Sequence, residues 1–147
     1  MKSILFVLLV LTLALAACAP KQATTTSGTD LKVVAGTLAK TYSVDDLKAL
    51  GEVQASDKGV TYVGVPLKVL LQDAGIDPDK LSAVKAVSSD GFTATYDSSQ
   101  FMADDTLVAY ARADGPLTAD EGIFRMVLPD QGGKANPRLL VEIDAIP

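Results

Sequence analysis

The chain of 147 residues has no histidine, no tryptophan and a single cysteine. The lack of histidine excludes a Ser-His-Asp triad, a Cys-His nucleophile pair, a His-ligated haem and a zinc-protease helix. One cysteine excludes an internal disulfide and any multi-cysteine zinc or iron–sulfur site. Acidic residues outnumber basic ones by 18 to 13, for a formal net charge of −5. We therefore expect no nucleic-acid partner, because such proteins carry basic surfaces.

The apolar residues are concentrated at the N-terminus. A single lysine follows Met1, an apolar run extends over residues 4–15, and small residues then precede Cys18. This run is shorter than the ~20 residues that span a bilayer, and the pattern is that of a secretory signal peptide over residues 1–17. A free or buried thiol after an ordinary signal cleavage is one interpretation of Cys18.

The ending Leu15-Ala16-Ala17-Cys18 resembles a bacterial lipobox. The resemblance implies cleavage before Cys18 and its diacylation with fatty acids such as palmitate. Acyl chains bury enough methylene groups in membrane lipid for stable anchoring. We therefore expect a lipid-anchored protein on the extracytoplasmic side of the cell membrane, in a periplasm or at the cell surface.

Residues 18–30 are poor in bulky apolar side chains and rich in threonine, and such a segment cannot repay the entropy of ordering. We predict a flexible tether here. From residue 31 to residue 147, strand-like and short helical segments alternate without regular βαβ spacing. The pattern predicts one globular α+β domain, with a mixed β-sheet and short interleaved helices.

Local signals place the elements of this domain. Ser43 and Asp46 have the spacing of a capping box, which predicts a helix that ends at Gly51. Pro66 predicts the first turn of a second helix, whose apolar face should belong to the core: Leu67, Leu70, Leu71 and Ala74. Strands are predicted at 31–36, 52–56, 60–65, 83–88, 92–96, 106–113, 124–128 and 138–146, helical turns at 76–81 and 98–102, and tight turns at 57–59, 89–91 and 114–116.

Pairs of neighbouring acidic residues do not indicate a catalytic pair of carboxylates, since adjacency in sequence does not make two side chains face each other. Asp120 and Glu121 are predicted to be capping residues or solvated turn residues. Glu121 also has the spacing of the last ligand of a calcium-binding loop, but Tyr110 and Arg112 stand where the first carboxylates are required. We therefore expect no calcium site and no metal site.

A cluster of cations lies late in the chain. Arg125, Lys134 and Arg138 surround the glycine-containing loop 129–134. Free backbone N–H groups and cationic side chains together favour binding of an anion or phosphate. The alternative is that the three cations are solvated side chains at strand ends that pair with acidic neighbours.

Four segments resemble, in the same order, the sulfite-oxidase-type molybdopterin-binding domain. Residues 62–76 (YVGVPLKVLLQDAGI) are similar to that family's Tyr/Trp-x-Gly-Val-Pro-Leu-x-x-Leu-Leu-x-x-Ala-Gly segment, and residues 87–92 to its Ser-x-Asp-Gly-Tyr hairpin. Residues 105–117 and 122–129 resemble two further motifs. The resemblance covers about residues 31–147 and implies that family's fold, a molybdopterin cofactor and oxidoreductase activity.

The same resemblance assigns roles to single residues. Ala55 falls where the family has the cysteine that ligates molybdenum, and a methyl group cannot coordinate a metal. The family's histidine contacts to the pterin are also lost. Arg125 and Lys134 match positions in or near the pterin and phosphate contact region, and Asp90 matches the hairpin. With Arg138, these three are our candidate ligand-binding residues; no catalytic residue is predicted.

Three functions are compatible with these features. We favour a membrane-anchored binding or accessory lipoprotein that has the family's fold without catalysis and takes an anionic small molecule, such as a pterin, or an envelope protein partner. This hypothesis predicts no cofactor, and only the family resemblance suggests that molybdopterin could bind. The second is a molybdopterin-dependent oxidoreductase with atypical metal attachment, completed by a partner subunit. The third is a structural envelope protein without a ligand.

Overall fold

A computed structural model describes residues 29–147. The predicted signal peptide, Cys18 and residues 18–28 of the predicted tether lie outside the described residues. Within the described part, no helix is both long and apolar enough to cross a bilayer.

Ten strands and three α-helices make up the described part. In chain order the strands are β1 (Leu31–Ala35), β2 (Leu38–Tyr42), β3 (Val53–Asp57), β4 (Val60–Pro66), β5 (Ala83–Ser88), β6 (Thr93–Tyr96), β7 (Leu107–Arg112), β8 (Gly115–Pro116), β9 (Arg125–Val127) and β10 (Leu140–Ile146). The α-helices are α1 (Val44–Ala49), α2 (Leu67–Asp73) and α3 (Ser98–Phe101), and short 3₁₀ turns span Pro78–Lys80 and Gly133–Ala135.

The strands form two five-stranded sheets. The first has the order β2-β1-β10-β5-β6, with β1 parallel to β10 and the other pairs antiparallel. The second has the order β3-β4-β7-β8, with β9 also paired to β7, and is antiparallel throughout. The predicted α+β class with mixed strand pairing is therefore confirmed.

The second sheet has a different environment on each face, because successive side chains of a strand point to opposite sides. Val63 and Val65 of β4 join the main core, which also takes residues from the first sheet and from α1 and α2. Tyr62 of the same strand joins a smaller cluster on the other face, which we call the outer face. The candidate site lies on this outer face.

The predicted helices and two of the three predicted tight turns are confirmed, whereas the third, 114–116, overlaps strand β8. Ser43 and Asp46 form the capping box of α1, and Gly51 follows the helix with a φ of 102°. The apolar face of α2 is fully buried at Leu70 and Leu71. The turns at 57–59 and 89–91 join antiparallel neighbours.

Two boundaries differ from the sequence prediction for identifiable reasons. The sequence pattern predicts no strand at residues 38–42, but they form β2 because Gly36, at a φ of 57°, closes a two-residue connection to β1. The last strand starts at Leu140 and not at residue 138, because Leu139 has a φ of 52°, outside the range of a strand.

Candidate functional site

A cavity of about 310 Å³ opens on the outer face of the second sheet. Its inner wall includes the buried side chains of Tyr62, Glu121 and Arg125. Its mouth includes the exposed side chains of Lys58 and Arg138. The cavity is therefore mainly polar and lined by charges of both signs.

Strand register brings the inner wall together. Tyr62 of β4 pairs with Arg112 of β7, and Ala109 of β7 pairs with Arg125 of β9. The Arg125 guanidinium lies over the Tyr62 ring, 4.3 Å from its centroid, and donates a 2.7 Å hydrogen bond to the Tyr62 hydroxyl. The sheet thus holds a buried guanidinium stacked on an aromatic ring.

Glu121 comes from the turn that follows β8 and supplies the negative charge that these arginines require. Its Oε1 accepts from the Tyr62 hydroxyl at 2.9 Å and from Arg125 Nη1 at 2.5 Å. Its Oε2 accepts from Arg112 Nε at 3.0 Å and from the backbone N–H of Thr118 at 2.9 Å. The Thr118 hydroxyl also lies 3.0 Å from Oε2. Both carboxylate oxygens are therefore fully used inside the protein.

The protonation states in this network follow from its contacts. Burial by itself would raise the pKa of Glu121, but hydrogen bonds from Arg112, the Thr118 N–H, Tyr62 and Arg125 outweigh it and hold that pKa well below its usual range. Burial and the hydrogen bond to Glu121 raise the pKa of Tyr62. At neutral pH, Glu121 is thus ionised and Tyr62 is a neutral donor.

The prediction that Glu121 is a solvated turn residue is wrong, because the turn folds back over the sheet and leaves its side chain only 2% exposed. The sequence does hold a signal for it: Thr118 and Glu121 have capping-box spacing, and Glu121 bonds back to the Thr118 N–H. The prediction for its neighbour holds, since Asp120 is exposed and pairs with Arg138 at 2.7 Å.

The mouth of the cavity has a different charge pattern from its inner wall. Among residues 29–147, neither Lys58 nor Lys134 forms a salt bridge. Lys134 lies in the exposed 3₁₀ turn, and the Lys58 ammonium group lies beside Gly133 of the same turn. Two solvated ammonium groups thus flank the glycine-containing loop 129–134.

A second cavity of about 280 Å³ adjoins the first and shares Gly133, Asn136 and Arg138 with it. Asp90 lines this second cavity and fixes the β5–β6 turn by accepting the Phe92 N–H at 3.0 Å. We call the two cavities together the cleft.

The second cavity also has an apolar and a polar group to offer a ligand. The Phe92 ring is 41% exposed, although it is a large apolar side chain. Ser88 Oγ is buried and has no hydrogen-bond partner within the described residues. Both line the cavity.

The four candidate binding residues are distributed around the cleft. Arg125 and Arg138 line the first cavity, and Asp90 and Arg138 line the second. Lys134 lines neither cavity but belongs to the turn beside both. Sequence reasoning missed Lys58, Tyr62 and Arg112, which are far from this cluster in sequence and reach it only through sheet register.

Ala55 lies in β3 directly opposite Tyr62. Its methyl group is buried on the outer face and belongs to one apolar cluster with Leu107, Ala109 and Val127. Within residues 29–147, no group of three or more acidic, histidine or cysteine side chains is arranged to hold a metal ion.

Comparison with known proteins identifies the fold family. The sequence profile of the oxidoreductase molybdopterin binding domain matches residues 41–147. The chain belongs to this family. Its structure is similar to the crystal structure of the sulfane dehydrogenase SoxCD from Paracoccus pantotrophus, with a TM-score of 0.64 and 19% sequence identity. The match covers 82% of this chain but only 39% of the matched chain of that structure. A comparison with curated proteins finds no match.

The residues of this chain do not fit the molybdenum centre that the family name implies. The one cysteine lies outside the domain, at position 18, and the chain has no histidine. Ala55 presents a methyl group, and Arg112 and Arg125 already pair with Glu121. The family's fold is thus present, whereas residues 29–147 contain no cysteine thiolate to ligate such a metal.

Proposed function

We propose that this protein is a lipid-anchored, extracytoplasmic binding or accessory module, which has the molybdopterin-oxidoreductase fold but performs no molybdenum chemistry. The observation that carries this proposal is the buried methyl group of Ala55 at the position where the family resemblance places the metal ligand. Because no other side chain of the domain supplies a thiolate, the domain has no substitute ligand of that kind.

The cleft supports a binding role for a small anionic molecule. Glu121 already pairs with Arg112 and Arg125, so binding must rely on the cations at the mouth and beside it. These are Lys58, the nearby Lys134, and Arg138, whose ion pair with Asp120 is exposed. Charge-assisted hydrogen bonds from such groups favour carboxylates and phosphates.

The second cavity indicates which groups the ligand carries besides its negative charge. The exposed Phe92 ring offers a face for stacking, and Ser88 Oγ offers a polar group without a partner. A planar, anionic molecule matches this combination, and pterins belong to that class.

The anchoring part of the proposal rests on the lipobox-like sequence before Cys18. Two or more acyl chains hold a protein on a membrane stably, whereas a single chain holds it only reversibly. The tether of residues 18–30 would let the cleft face the aqueous phase.

A ligand titration of the full-length protein in detergent tests the binding role. Pterins, phosphate and small dicarboxylates are titrated by calorimetry and by thermal shift against wild type, Lys134→Ala and Arg138→Ala. We expect saturable binding that both variants weaken. Lys48→Ala is the matched control, because Lys48 is an exposed lysine on α1 whose salt bridge is to Asp45. Equal binding by all four proteins would contradict the proposed site.

Membership of this family supports a second candidate function: a molybdopterin-dependent oxidoreductase whose metal is attached by a partner subunit. It predicts that the metal and the pterin copurify only when that partner is coexpressed. Molybdopterin therefore belongs among the ligands to be tested.

A further inference from the structure

The inner wall of the first cavity has the composition of an oxyanion site. Arg112, Arg125, the Tyr62 hydroxyl and the backbone N–H of Thr118 all donate to one carboxylate. We call these four residues the cradle. Two guanidinium groups with a backbone N–H and a phenolic hydroxyl donor form a strong arrangement for one bound anion.

The anion that fills the cradle is supplied by the chain itself. Arg112, Tyr62 and Arg125 are fixed by the strands of the second sheet, whereas Glu121 reaches in from a connecting turn. The cradle holds two positive charges and Glu121 supplies one negative charge, so a net positive charge remains. The second sheet thus holds most of the donors in place, and Glu121 does not belong to that sheet.

We propose that Glu121 is an intramolecular ligand, which occupies an oxyanion-binding site built by the sheet. Removal of its carboxylate opens this site to a small free carboxylate or a comparable oxyanion. In the native chain, Glu121 closes the inner end of the cleft, so that free anions bind only at its mouth. This inference does not depend on the proposed function, because it concerns a different set of donors.

Rescue of Glu121→Ala by acetate tests the assignment. The substitution removes a methylene group and a carboxylate, and acetate replaces both. We expect the full-length variant to have a lower melting temperature than wild type, and acetate to raise it in a saturable way. Acetamide, which has the same shape without charge, and sodium chloride at equal ionic strength should not raise it. Wild type should show a smaller shift than Glu121→Ala, because its cradle is full and acetate can reach only the cations at the mouth.

Two further variants locate the effect. Asp120→Ala removes the neighbouring exposed carboxylate and leaves the cradle filled, so it should respond to acetate no more than wild type does. Glu121→Gln fills the cradle with a neutral group of the same size, so it should fold and respond less than Glu121→Ala.

Three results would overturn the proposal. The first is a Glu121→Ala protein that is folded but does not bind acetate. The second is one that stays unfolded at saturating acetate, which would show that the cradle requires the covalent link. The third is an equal response of Glu121→Gln and Glu121→Ala, which would place the anion elsewhere.

Discussion

The buried charges of the cradle make a quantitative prediction for Glu121→Gln. Gln has the shape of Glu but carries no charge. The substitution therefore removes the ionic partner of both Arg125, whose side chain is only 5% exposed, and Arg112. Leaving a buried charge without its partner costs about 3–5 kcal/mol, and a hydrogen bond to a charged group contributes about 1.5–3 kcal/mol. The amide oxygen of Gln still accepts some of the hydrogen bonds that the carboxylate accepted. We therefore expect a loss of about 3 kcal/mol in the free energy of unfolding at pH 7.

The pH dependence of this loss has a definite sign. The pKa of Glu121 is held below its ordinary value of 4.5 in the folded protein. Its charge therefore stabilises the fold fully above about pH 5, and this contribution is lost as the pH falls toward the folded-state pKa. The difference between wild type and Glu121→Gln should thus be largest at neutral pH and should shrink on acidification. Other carboxyls with lowered pKa values titrate in both proteins and cancel in the difference.

Urea unfolding from pH 7 down to pH 3 measures this difference. Far-UV circular dichroism and tyrosine fluorescence are suitable probes, since the chain has no tryptophan. Asp120→Asn, at an exposed carboxyl in the same turn, is the control and should change little. Equal midpoints for wild type and Glu121→Gln at pH 7 would refute the reasoning. A difference that does not change with pH would refute it as well.

Three more outcomes are expected. Leu70→Ala should lower the free energy of unfolding by about 2–5 kcal/mol, because Leu70 is fully buried; an unchanged urea midpoint would contradict its place in the core. Gly64→Ala should destabilise the protein strongly in the same assay, since a Cβ there would overlap the Val108 carbonyl of β7, and wild-type stability would show that the two strands separate easily. Cys18→Ala should move the protein from membranes to the soluble fraction; unchanged fractionation would exclude lipid anchoring through Cys18.

Local signals in the sequence predicted most of the fold. The capping box at Ser43 and the turn at Asp90-Gly91 depend on residues close together in the chain, so the sequence shows them directly. The division of the strands into two sheets was not predicted, because it depends on pairings between distant segments. The parallel pairing of β1 with β10 joins residues about 110 positions apart, such as Lys32 and Glu142.

The candidate site was only partly predictable for the same reason. The basic character of Arg125 and Arg138 is evident in the sequence, but their partners are not. Tyr62 and Glu121 are 59 positions apart and meet only because β4, β7 and β9 are neighbours. Sequence reasoning therefore found Arg125 and Arg138 but missed Lys58, Arg112 and the carboxylate of Glu121, which pairs with two of the arginines.

The molybdenum content of the purified protein tests the central claim most directly. The full-length chain is produced in molybdenum-replete cells beside a catalytically active member of the family, and the metal is quantified by mass spectrometry and the pterin by the fluorescence of its oxidised extract. We predict molybdenum far below one atom per chain and no pterin fluorescence, whereas the control protein carries both. Near-equimolar molybdenum with a pterin signal in this chain would contradict the account.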